Sequence, residues 1–115
     1  MEILAPVGSP EALVAAIKGG CDAVYLAGKN FGARSFAKNF TDQELDGAVQ
    51  YAHAHGVKVH VTVNTLVKNN EIEDAVSFVQ FVKDIGADAV LIQDLGLLKA
   101  IEKIPIAKNA STQMQ

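Results

Sequence analysis

The sequence predicts an α/β fold of parallel strands, the N-terminal half of a (β/α)8 TIM-type barrel, and three observations carry that prediction. The first is a phrase used twice. Gly20-Cys21-Asp22-Ala23-Val24-Tyr25-Leu26 returns as Gly86-Ala87-Asp88-Ala89-Val90-Leu91-Ile92. Each copy follows a helical stretch, stops it with glycine and opens a short apolar strand, which is one turn of an α/β winding. The second is the alternation of strand-like and helix-like stretches along the whole chain. The third is the strand from Val57 to Asn64, where Val57, Val59, Val61 and Val63 point one way and Lys58, His60, Thr62 and Asn64 the other. A doubly wound sheet buries both faces and reads as apolar throughout. A polar side suits a sheet with helices on one face only, its other face lining a barrel interior. A full barrel takes ~250 residues, so these 115 residues read as one partial domain spanning 1–115.

Each element has its own signal. Glu2 to Val7 is an apolar run bounded by Gly8, a first strand. Ser9-Pro10-Glu11 is a helix start: a serine N-cap, a proline at the first helical position and an acid at the positive end of the dipole. Leu13, Ala16 and Ile17 share that helix's buried face, and Gly19-Gly20 ends it. Ala23 to Leu26 is the second strand, and Ala27 to Phe40 reads as a long loop. Thr41-Asp42-Gln43-Glu44 is a capping box opening a second helix, with Leu45, Ala48, Val49 and Ala52 inward and Gly56 as its stop. The third strand follows, near 57–63. A third helix is expected from about Glu71 to Ile85, a fourth strand over Ala89 to Gln93, and a short helix from Leu95 to Lys103, halted by Ile104-Pro105. Ile106 to Ala110 closes the series as a fifth strand.

Composition narrows the function classes. The chain is 50% hydrophobic and 20% charged, and no apolar run approaches the ~18 residues of a membrane helix. Met1-Glu2-Ile3-Leu4 lacks the basic start of a signal peptide. Cys21 is the single cysteine, so neither a disulfide nor a cysteine metal site forms within one chain. These features fit a cytoplasmic protein with no membrane partner. A net charge of −3 makes the surface as a whole a poor nucleic-acid footprint.

Chemistry concentrates at the predicted C-terminal strand ends, the catalytic face of a barrel. The stretch between Asp22 and Asp42 contains no acid, yet carries Lys29, Arg34 and Lys38, with Gly28 and Gly32 allowing close backbone approach. Arg34 is suited to hold an anion as a bidentate fork, or the loop is simply basic and solvated, packed down by Phe31, Phe36 and Phe40. The same phenylalanines could stack on RNA bases. Asn64, Gln93, Asp94, Thr112 and Gln113 end other strands on that face. His60 shares the polar side of the third strand, as a site residue or as a hydrogen-bonded interior histidine. Substrate binding is therefore assigned to Lys29, Arg34, His60, Asn64, Gln93, Asp94, Thr112 and Gln113. His53 and His55 diverge around a helix end and read as structural. Cys21, at a helix stop on the opposite end of the sheet, reads as a small buried hydrophobe. No serine stands in a nucleophile elbow.

The blocks Glu2-Ile3-Leu4-Ala5-Pro6-Val7-Gly8-Ser9-Pro10-Glu11-Ala12-Leu13, Asp22-Ala23-Val24-Tyr25-Leu26, Phe31-Gly32-Ala33-Arg34, Ala37-Lys38-Asn39-Phe40, Val61-Thr62-Val63-Asn64-Thr65, Gln93-Asp94 and Ala110-Ser111-Thr112-Gln113-Met114 resemble, in order, the N-terminal portion of the collagenase-like peptidases, peptidase family U32. The resemblance implies proteolysis as the family's name has it. Peptidase is accordingly the first reading of the parent protein, and the alternative the resemblance also implies is one of the family's oxygen-independent hydroxylases of RNA bases or quinone precursors, which hold an iron–sulfur cluster through cysteines. The family's cysteine-rich half lies beyond residue 115. The chain is accordingly expected to be incomplete for catalysis alone and to hold no cofactor, the cluster belonging to the full-length parent. The expected partners are a second copy of the chain, through exposed barrel edges, and for the parent an anionic small molecule or RNA. A non-catalytic, self-associating scaffold is the remaining reading.

Overall fold

Ser9 Oγ accepts a hydrogen bond from Ala12 N at 3.1 Å and opens α1 (Pro10–Lys18). Thr41 and Glu44 close a capping box at the head of α2 (Asp42–Ala54), with Glu44 N donating to Thr41 Oγ1 at 3.1 Å and Thr41 N to Glu44 Oε1 at 3.0 Å. With α3 (Ile72–Asp84) and α4 (Leu95–Ala100) these helices alternate with β1 (Leu4–Val7), β2 (Ala23–Asn30), β3 (Lys58–Asn64), β4 (Ala89–Ile92) and β5 (Ala107–Ala110). The structure is a computed structural model that describes residues 3–30, 40–64, 72–92 and 94–110.

All five strands are parallel and lie in the order β1-β2-β3-β4-β5. A doubly wound sheet reverses its strand order at a switch point. Here every strand is added to the same edge, so the winding goes one way, as in a barrel sector. The helices take one face. On it Val7, Val24, Leu26, Val59, Val61, Val63, Val90 and Ile92 are all buried, packed with Leu45, Val49, Phe78, Val79, Val82, Leu97 and Ile101. Burying a Val, Leu or Ile side chain is worth roughly 1.5–3 kcal/mol, so this layer is where the sheet is held to its helices. The opposite face has no helix on it. Leu4, Pro6, Lys58, Ala107 and Asn109 are exposed there, and Tyr25, His60, Thr62 and Leu91 are half-buried.

The repeated phrase now has a structural reason. Gly20 and Gly86 both adopt positive φ, 91° and 95°, as the left-handed residue after a helix. In each copy the glycine N–H returns to a carbonyl three residues back, Gly20 to Ile17 and Gly86 to Lys83. The next N–H returns five back, Cys21 to Ala16 and Ala87 to Val82. That is a Schellman motif, and its buried apolar residue after the glycine is Cys21 or Ala87. The aspartate then brackets the preceding strand. Ile3 N donates to Asp22 Oδ2 at 2.6 Å while Asp22 N donates to Ile3 O at 2.8 Å. Val59 N donates to Asp88 Oδ2 at 2.7 Å while Asp88 N donates to Val59 O at 2.8 Å. Each carboxylate satisfies a strand-entry N–H that the ladder does not reach.

Several sequence-based boundaries shift. The second strand does not stop at Ala27-Gly28-Lys29. It runs to Asn30, because Ala27 pairs with Thr62 and Asn30 with Asn64, across a register irregularity between them. Glycine inside a strand marks such an irregularity as readily as a loop. The last helix ends at Ala100, not Lys103. Ile101 is its C-cap and Glu102 N bonds back to Lys99 O at 3.3 Å, a turn forced by the approach to Ile104-Pro105. The outer strands are shorter than read, beginning at Leu4 and Ala107.

Candidate functional site on the uncovered sheet face

Strand register builds one row across the uncovered face: Pro6, Tyr25, His60, Ala89 and Ala107 stand opposite one another from β1 to β5. Two of the five carry rings. The Tyr25 and His60 rings lie 5.6 Å apart between centroids, tilted by 57°. Ala23 and Ala27 flank Tyr25 along β2, Lys58 and Thr62 flank His60 along β3, and Ala89 and Ala107 continue the row beyond His60; Ala23 and Ala89 are buried. His60 is half-buried, and its Nδ1 is buried with no hydrogen-bond partner. An unpaired polar atom away from water costs about 1–3 kcal/mol, so this nitrogen is the site's one outstanding polar demand among the described residues. In the next row Thr62 Oγ1 donates to Leu26 O at 3.4 Å and is already partnered.

The sequence-derived site divides. Lys29, Asn64 and Asp94 stand at the C-terminal ends of their strands, as read, and Asn64 is in register with Asn30. Asp94 also has a structural duty, since its Oδ1 accepts from Leu97 N at 3.0 Å as the N-cap of α4. Arg34, Gln93, Thr112 and Gln113 lie outside the described residues, as do Phe31, Phe36 and Lys38. His60 does not belong to the mouth. It sits four residues before Asn64 on β3, about 13 Å down the strand, in the middle of the face. Tyr25 was missed. Its strand reads as uniformly apolar, and only its parity with the alanines on either side marks it as facing away from the core.

The remaining reactive side chains are engaged elsewhere. His53 Nε2 pairs with Asp88 Oδ2 at 2.8 Å, and His55, the C-cap of α2, places Nδ1 2.9 Å from Tyr51 O. Among the described residues no histidine is hydrogen-bonded to a serine, threonine or cysteine. Cys21 is buried in its Schellman turn at the N-terminal end of β2. An iron–sulfur cluster takes several thiolates; one buried cysteine does not fit that group. Among the described residues no group of three or more His, Cys, Asp or Glu could hold a metal ion, and no helix is long and apolar enough to cross a membrane. A cavity of about 270 Å³ lies between α1 and α2. Its lining is mostly apolar, with Tyr51 and with Glu44, which is committed to the capping box, and it is in the helix layer, away from the uncovered face.

A singly wound parallel sheet, with helices on one face and an aromatic–imidazole row on the other, defines an α/β protein of parallel strands, an arrangement that fits part of a barrel. The chain belongs to peptidase family U32, whose profile matches residues 8–115. It is 37% identical over 113 residues to a 23S rRNA 5-hydroxycytidine synthase of Escherichia coli, covering 98% of this chain and 17% of that protein. It is 36% identical over 115 residues to a collagenase of Porphyromonas gingivalis, covering 98% and 28%. It is 30% identical over 114 residues to a tRNA hydroxylation protein of Bacillus subtilis, covering 97% and 27%. The chain thus spans less than a third of the length of these relatives.

Proposed function

We propose that this chain supplies the first half of a (β/α)8 barrel in a protein that hydroxylates RNA bases, and that its uncovered face is the side turned to the substrate. The observation that carries the reading is the Tyr25–His60 row. Aromatic rings standing on an open sheet face are the means by which proteins hold unstacked bases. A relative named for making hydroxycytidine in 23S rRNA matches nearly the whole chain at 37% identity. Serine- and cysteine-type peptidases use a nucleophile, a base and an orienting group in hydrogen-bonded sequence, and the described histidines are not part of such a chain.

Lys29 and Asn64, with Arg34, Gln93, Asp94, Thr112 and Gln113, are proposed to form the mouth above that face, where the basic residues meet the phosphates of an RNA strand. The redox chemistry of hydroxylation is proposed to come from a cluster held by cysteines outside these residues, so the 115-residue chain alone is expected to bind without turning over. Self-association through its free strand edges is proposed alongside. The second reading, peptidase, is supported by the 36% identity to a collagenase.

The test is to express the gene that carries this chain in a bacterial host and compare nucleosides from its RNA by liquid chromatography and mass spectrometry, with gelatin degradation measured on the same extracts. A nucleoside heavier by one oxygen, without gelatin cleavage, is the expected result. Gelatin cleavage with an unchanged nucleoside profile would replace this reading with the peptidase one.

A further inference from the structure

We infer that Tyr25 and His60 form the seat for a single nucleobase, Tyr25 giving the stacking surface and His60 Nδ1 the hydrogen bond that orients the base. This rests on the RNA reading above and assigns it two residues.

Three features converge. The first is placement. Tyr25 and His60 are the two rings of a row that Pro6, Ala89 and Ala107 complete, on the sheet face that carries no helix. The second is the tilt. At 57° and 5.6 Å between centroids the two rings meet at an angle, in the range of an edge-to-face contact, so each holds the other in place. The third is the unpaired nitrogen. Thr62, His53, His55, Asp22 and Asp88 all have partners, while His60 Nδ1 has none. Buried polar atoms in folded proteins are overwhelmingly paired, so an orphan on a face free of helices marks a place where a ligand supplies the partner. A half-turn about χ2 exchanges the two edges of the imidazole within the same volume. The nitrogen can therefore turn toward a base that offers a donor or an acceptor, without repacking the strand. The neutral ring offers an acceptor at one nitrogen and a donor at the other, which suits a base edge better than a phosphate.

The experiment is a nuclear magnetic resonance titration of the 115-residue chain, labelled at histidine and tyrosine, with cytidine, uridine and adenosine monophosphates. Ribose 5-phosphate serves as the probe for simple anion capture. The expected result is a saturable shift of the His60 ring nitrogens and Tyr25 ring protons with the nucleotides and not with ribose 5-phosphate. Tyr25→Leu and His60→Phe each weaken the apparent affinity at least about five-fold, and His60→Asn, which keeps a polar atom near the Nδ1 position, recovers part of the loss. The wild-type shifts stand without the variants, should one of these fail to fold. Nucleotides that leave His60 and Tyr25 unmoved, or an equal response to ribose 5-phosphate, would overturn the seat. Failure of the seat and of the RNA reading are separable. Hydroxylated nucleosides at undiminished level from the whole gene carrying Tyr25→Leu and His60→Phe would remove the seat and leave RNA hydroxylation standing. Nucleotide-dependent shifts here with gelatin cleavage as the only activity there would do the reverse.

Discussion

Asp88 does at the residue scale what its place in a repeated phrase does not reveal. Its Oδ2 accepts from Val59 N at 2.7 Å and from His53 Nε2 at 2.8 Å, tying the start of β4 to the start of β3 and to the last turn of α2. Asp22 repeats the first of these bonds against Ile3. The repeat was visible in the sequence. Its reason was not, because the bonds reach across 19 and 29 residues and no local pattern encodes them. Asp88→Ala should lower stability by about 1–2 kcal/mol, since it strands a part-buried N–H. Asp88→Asn should recover part of that. Urea denaturation decides it, and an unchanged midpoint for Asp88→Ala would show that water replaces the bracket. Cys21, read from sequence as a buried hydrophobe, is so. Its thiol should react with a disulfide reagent far more slowly in the native chain than in urea, and equal rates would mean that the turn opens readily.

Elements defined by local chemistry were legible, and those completed by neighbours were not. The capping box at Thr41 and the serine cap at Ser9 act within four residues, so sequence places both helix starts. β2 runs beyond Leu26 because β3 offers it partners as far as Asn64, a tertiary effect that overrides the local turn signal of Gly28-Lys29. Two glycines give a prediction of opposite signs. Gly86 has φ 95°, where any side chain is strained, so Gly86→Ala should destabilise by about 1 kcal/mol or more. Gly47 lies inside α2 with nothing within 4 Å of where a Cβ would stand, so Gly47→Ala should stabilise by roughly 0.5–1 kcal/mol. Thermal melts of the two variants check both. A shared sign would mean that one of these backbone conformations is not the one described.

At the scale of the whole molecule, the alternation in β3 was the most informative pattern in the sequence. Four valines on one side and Lys58, His60, Thr62 and Asn64 on the other required a sheet with helices on a single face, and that is the arrangement found. The sequence could not order residues by depth. It grouped His60 with strand-end residues because parity alone gives the face and not the height, and it passed over Tyr25 because the residue that makes it interesting is on another strand. The outer edges of β1 and β5, unpaired among the described residues, should drive the isolated chain to self-associate edge to edge, leaving the uncovered face open. Sedimentation equilibrium is the check, and a folded monomer at high micromolar concentration would show that the edges tolerate water.

RNA is proposed to meet the uncovered face and not the helix layer. Photo-crosslinking of the chain to bromouridine-substituted single-stranded RNA, followed by trypsin digestion and mass spectrometry, distinguishes the two. The predicted crosslinks fall in the peptides spanning residues 19–29 and 59–68, which contain Tyr25 and His60. Crosslinks confined to the peptides spanning residues 39–58 and 69–83, which carry α2 and α3, would contradict it.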